Sequence, residues 1–359
     1  MKRPSRKTFV ILTLLFVAGA TWTCSACSAG YILRAGYEEA KILARREPIR
    51  DIIAAPATPP EVRRRLELVL TARDFAEHSL GLDAGDSYTT YSRVDRDTLA
   101  LILSGARRDR FSAVTWWFPI VGSVPYKGYF DMDDALEAQR ELEDDGFDTF
   151  LRPTAAFSTL GWFNDPLLST VLRYGDVSIV STVIHELTHN SLYLPGQAGF
   201  NESFANFVGD RGAVALFCGM DGPASERCAR TTDEWADNLA FAAFLNGLVA
   251  ELTTLYQRED IDAAQKLALR EPIFERARLR FRDDVLPPMR TDRFRGFERL
   301  PMNNATLMAR RLYYDRLDRF EAVFERLGRD LPRAIEAIIE AAEAHPDDPW
   351  LGLERLASG

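Results

Sequence analysis

Apolar positions recur along this chain with two periods, and the helical one dominates. Val62, Leu66, Val69 and Leu70 line one helix face after the proline-rich break at 56–60. A short helix over 49–54 precedes that break, and an earlier one runs from Tyr31 until Glu47-Pro48 interrupts it. Ile179, Val180, Val183, Ile184 and Leu187 give a buried face to a helix that starts near Asp176 and must stop by Pro195-Gly196. Asn201 reads as the N-cap of a second helix over 202–208. Beyond Asp233 the chain is helical again, and Phe241, Phe244, Leu245, Leu248, Leu252 and Leu255 share a face. Pro272 and Pro287-Pro288 divide the later segments, and 303–327 and 331–344 read as two final helices.

Strand character is confined to one region. Residues 113–120 are rich in β-branched and aromatic side chains, 122–125 turn, and 126–130 return as a second strand. Residues 131–145 form an acidic helix, with Asp131 or Asp133 as N-cap and Gly146 as its stop. A further strand follows at 148–153. The expected fold is therefore α+β and predominantly α-helical, with a small β-sheet. After a head of 1–27, one domain over 28–359 has a strand-rich part near 110–165, a helix pair near 176–210 and a helical part near 233–345.

Composition and charge narrow the class. With 47% apolar residues in 359, the chain can bury a sizeable core. The net charge is −9. Lys2, Arg3, Arg6 and Lys7 sit in the head, so the rest is more acidic still. Nothing in this balance calls for nucleic acid or an anionic membrane surface as partner. The head itself has the form of an export signal: a basic start, an apolar run over 9–20 too short to span a bilayer, then small residues. Three outcomes stay open: cleavage after Ala20 or Ala26, cleavage before Cys27 with lipidation of that cysteine, or an uncleaved anchor. All place the domain outside the cytoplasm, and a lipid on Cys27 or an uncleaved signal would give membrane association on the periplasmic side of the cell envelope. In such an oxidising compartment, Cys218 and Cys228, flanking a turn-rich loop, are expected to pair.

The densest chemistry lies in Val183-Ile-His-Glu-Leu-Thr-His-Asn190. His185 and His189 fall at i and i+4, on one helix face, and can aim two imidazoles at one Zn²⁺. Glu186 follows the first histidine, where a carboxylate serves as general base toward water activated by the metal. Glu202, on the next helix after a tight connection, is the candidate third ligand. Two imidazoles and one carboxylate leave a zinc ion positively charged with an open position. Asn206, one turn beyond, is placed to accept a histidine N–H. Tyr313 is either the donor to a developing oxyanion or a core tyrosine on an amphipathic helix. His78 and His345 are set aside as ligands.

His185-Glu-Leu-Thr-His-Asn190 followed by Asn201-Glu-Ser-Phe-Ala205 resembles the gluzincin pattern HExxH…NExxA. Trp117-Phe-Pro-Ile-Val-Gly122, Tyr126-Lys-Gly-Tyr-Phe130, Ala156-Phe-Ser-Thr-Leu-Gly-Trp-Phe163 with Asp165-Pro166, and Asn303-Asn-Ala305 extend the likeness to nearly the whole chain after Cys27. Together they resemble a family of bacterial predicted aminopeptidases, often lipoproteins. The resemblance implies Glu202 as zinc ligand, one Zn²⁺, a peptide substrate and removal of N-terminal residues. Such enzymes bind the free amine through an acid on an edge strand. Residues 156–163 fit that strand, and Asp165 is its nearest acid. An endopeptidase with the same site, and a non-catalytic envelope lipoprotein retaining a metal site, are the alternatives.

Overall fold

A computed structural model describes residues 41–94, 100–118, 122–154 and 165–358. The signal-like head, most of the helix expected from Tyr31 and the strand expected over 156–163 lie outside the described residues. What is described is mostly helical, with three small sheets.

The chain opens with β1 (Glu47–Pro48), α1 (Ile49–Ala54) and α2 (Pro60–His78). Pro60 suits the first turn of α2, where its missing N–H costs nothing. Leu66, Val69, Ala72 and Ala76 form the buried face. After β2 (Thr90–Ser92) comes β3 (Ala100–Arg107), which the periodicity does not reveal. This strand is the centre of the largest sheet, ordered β6-β3-β7 and fully antiparallel. Its Ala-Leu-Ile-Leu-Ser-Gly-Ala run does not alternate because helices pack near both sides of the sheet.

The hairpin is a correction. β4 (Trp116–Phe118) pairs with β5 (Gly122–Val124), the segment expected to turn. β6 (Lys127–Tyr129), the expected partner, pairs with β3 instead. Gly122, at φ +72°, makes the earlier reversal possible. α3 (Met132–Asp144) has Asp131 as N-cap, accepting from the Asp133 amide at 2.9 Å, and Gly146 ends it at φ +79°. β7 (Phe147–Thr154) then pairs along all of β3, and β8 (Leu167–Leu168) joins β2 in parallel.

α4 (Asp176–Ser191) and α5 (Ala198–Asp221) form an antiparallel pair packed against α2 and α6 (Glu226–Tyr256). α5 starts before Asn201, so that residue is not an N-cap. Cys218 and Cys228 form the expected disulfide, tying the end of α5 to the start of α6. Pro272 does not divide the chain: it lies inside α7 (Ala263–Arg280), whose capping box at Asp262 and Gln265 and buried Ile273 and Phe274 hold it helical. The expected helix over 303–327 is two, α8 (Asn304–Tyr314) and α9 (Leu317–Arg326), broken where Arg316 takes φ +49°. α10 (Leu331–Glu343) and α11 (Pro349–Ser358) close the chain, the last not foreseen.

One ladder of contacts positions the site. Asp148, Phe150 and Arg152 alternate onto one face of β7. Along α8, the Asn304 amide donates to Asp148 at 3.0 Å, and Ala305 and Ala309 cluster with Phe150. Farther on, Tyr313 lies beneath the guanidinium of Arg152. Strand and helix thus run together toward the α4–α5 pair.

Candidate active site

His185 and His189 project from α4 toward α5, and Glu202 faces them from just past the first turn of α5. Nε2 of His185 lies 3.3 Å, and Nε2 of His189 3.7 Å, from the same Oε2 of Glu202. The imidazole rings stand 5.0 Å apart at 85°. His189 is buried; His185 and Glu202 are half-buried. Three donor atoms lie within 4.8 Å of one another.

Local sequence makes this closeness possible. Gly196, at φ +81°, allows the sharp reversal after Pro195. Asn201 is buried and grips the connection from both sides: its Oδ1 accepts from the Leu194 amide at 3.1 Å, and its Nδ2 donates to the Leu194 carbonyl at 2.9 Å. At Gly209 an added Cβ would sit 2.6 Å from the Ser181 carbonyl oxygen and 3.1 Å from the Cβ of His185. Only glycine lets the helices approach so closely behind His185.

Charge at the site is strongly coupled. Burial pushes the Glu202 carboxyl up, but His189 and His185 outweigh it and leave it well below the usual range. Burial pushes His189 down, and Glu202 outweighs that and raises it. Such a cluster shares either a proton or a divalent cation. The set of two imidazoles and one carboxylate suits zinc by number and kind. Glu186 is half-buried beside the cluster, and burial raises its carboxyl.

Other expectations meet mixed outcomes. The Tyr313 ring stacks on His185, centroids 6.2 Å apart at 29°, which places it beside the histidine pair. Glu202, then burial, pushes its phenol well up. Asn206 holds no histidine. Its amide donates to the Tyr313 carbonyl at 3.0 Å, while the Ser203 hydroxyl donates to Leu312 at 2.9 Å. Both satisfy carbonyls left over at the end of α8 and fix Tyr313 over His185. Asp165 is buried, and its charge bears on both Glu186 and His189. His78 is exposed and His345 pairs with Arg355, so neither joins the cluster.

Some site residues escaped sequence reasoning. Tyr88, buried at φ +61°, donates its amide to the Asp165 carbonyl at 2.9 Å, and its phenol is pushed up by burial, then by Glu186 and Asp165. Nothing local signals this role. Tyr126 is pushed up by burial, then by Glu202. It opens a motif of the resemblance that carried no assigned role. Gly209 had one cue, a glycine inside a helix that would be stabler with alanine.

Searches of curated proteins and of solved structures return no match. A family model described as "Putative aminopeptidase" matches residues 30–348, a span holding the whole helix pair, β7 and α8. The chain belongs to that family.

Proposed function

We propose that the protein is a zinc-dependent peptide hydrolase of the cell envelope, an aminopeptidase, with a zincin-like helix pair as its active centre. The observation that carries this is the convergence of His185, His189 and Glu202 with Glu186 directly alongside. A zinc ion held by those three residues would supply Lewis acidity, making water more acidic and drawing electrons from a peptide carbonyl. Glu186 takes the proton of the attacking water and returns it to the leaving amine. Its raised carboxyl suits both halves of that exchange. Tyr313, whose phenol keeps its proton, donates to the oxyanion that develops on the carbonyl.

The test pairs two variants. Glu202→Ala is expected to lose bound metal, measured by elemental analysis. Glu186→Gln is expected to keep about one zinc and lose roughly 10²–10⁴-fold in kcat, the usual worth of a general acid–base group. Unchanged hydrolysis by Glu186→Gln would sink the reading. Comparing peptides with free and blocked N-termini separates exopeptidase from endopeptidase.

The envelope location draws support from the signal-like head and from the Cys218–Cys228 disulfide, which suits an oxidising compartment. Lipidation at Cys27 would make the anchor. Cys27→Ser is then expected to move the protein from the membrane to the soluble fraction, and an unchanged distribution would exclude that cysteine.

A further inference from the structure

Two arginines in the wall beside Tyr313 have no acidic partner among the described residues. Arg152 is half-buried, its guanidinium carbon 5.8 Å from the Tyr313 ring centroid. Arg310 is also half-buried, its guanidinium carbon 5.8 Å from the Phe150 ring centroid. The Nε of Arg310 is buried without a hydrogen-bond partner.

Their placement brings them together. Phe150 and Arg152 are two apart on β7 and share a face. Arg310 and Tyr313 are three apart on α8 and share a face. Arg310 covers Phe150 while Arg152 covers Tyr313, so both guanidinium groups sit in the seam between strand and helix. Burial, and with it the charge of Arg152, pushes Arg310 down. Residues 155–164, which follow β7, contain no acidic side chain. Partly buried cations without a counter-charge are costly, and two together more so. Among the described residues nothing supplies that counter-charge, and the seam suits an anionic ligand.

The geometry points to a carboxylate subsite formed by Arg152 and Arg310, one aromatic ring away from His185, that takes a carboxylate of the peptide substrate. This rests on the peptidase reading above. Through Tyr313, Arg152 lies no more than 12.0 Å from the His185 ring. An extended peptide covers roughly 3.3–3.6 Å per residue, so the bound carboxylate belongs within about three residues of the cleaved bond. It comes either from the C-terminus of a short peptide or from an Asp or Glu side chain. The planar fork of an arginine fits either.

The experiment compares matched peptides on the zinc-loaded full chain. One pair differs only as free acid against C-terminal amide, the other only as Glu against Gln near the cleaved bond. The carboxylate-bearing member of one pair is expected to be favoured in kcat/KM by about 10- to 100-fold, the range for a charge-assisted pair. Whichever pair responds names the source. Arg152→Gln should collapse the ratio, and Arg152→Lys should keep part of it. Equal rates on charged and neutral members by the unaltered protein would overturn the subsite.

Calorimetric titration of the same peptides into the Glu186→Gln variant asks the question without turnover. Tighter binding of a carboxylate form, erased by adding Arg152→Gln, would uphold the subsite even if no peptide were ever cleaved; the peptidase reading would then fall alone. Equal binding of charged and neutral forms overturns the subsite whatever the activity.

Discussion

The two halves of the site are held by opposite means. The α4–α5 pair is seated by apolar packing and by missing atoms: Val183, Ile184 and Leu187 are buried, and Gly209 and Gly212 let the helices close. The facing wall of β7 and α8 is fastened by buried polar bonds. Arg270 grips Asp148 with two hydrogen bonds, 2.6 and 2.9 Å. Asn304, fully buried, donates to the Arg107 carbonyl at 2.8 Å and accepts from the Tyr256 hydroxyl at 2.9 Å. Close packing fixes distances between ligands with little tolerance. A polar network fixes orientation, and fails abruptly when one member is lost. On the proposed function, metal binding would draw on the first property and substrate alignment on the second.

That contrast can be broken in graded ways. The largest effect is expected from Asp148→Ala, which removes the buried carboxylate of Arg270, leaves it only the exposed Glu271 and the Arg108 carbonyl, and should cost about 3–5 kcal/mol. Denaturant unfolding measures the loss. If the wall is separate from the ligand pair, the folded variant still binds one zinc. Gly209→Ala is expected to cost about 1–3 kcal/mol by overpacking, and to weaken zinc binding as His185 is displaced. Full zinc affinity in that variant would show that the close approach does not set the ligand distances.

The smallest effect concerns the entry to α4. Arg64 donates to Asp176 through two hydrogen bonds, 2.7 and 2.9 Å, and holds its carboxyl below the ordinary range. A carboxylate depressed by folding contributes stability above its unfolded pKa, and that contribution is lost as pH falls through the folded value. Asp176→Asn should therefore cost about 1 kcal/mol or less at pH 7, given the half-exposed arginine. The difference between the two proteins should begin to shrink below pH of about 4, the ordinary aspartate value, and vanish only below the depressed folded value. A gap that persists in acid would assign the effect to packing.

The same contrast explains what was legible. His185, His189 and Glu202 were found because helical spacing and a short connection are local facts. So were Asp131, Gly146 and the disulfide pair. β3 was missed because burial on both sides removes the alternation that marks a strand. Lys127–Tyr129 was given the wrong partner because pairing depends on residues far away in sequence. Tyr88 and Arg310 carry no local pattern: each matters only because a distant element arrives beside it. Asn206 was given the wrong duty, since its spacing from Glu202 said nothing about α8.

The grip of Asn201 on Leu194 bears on how the centre is born. A connection tied at its middle by two buried bonds cannot open while both flanking helices stay formed. The two helices then gain and lose structure as one cooperative unit. His185, His189 and Glu202 reach their places in the same event.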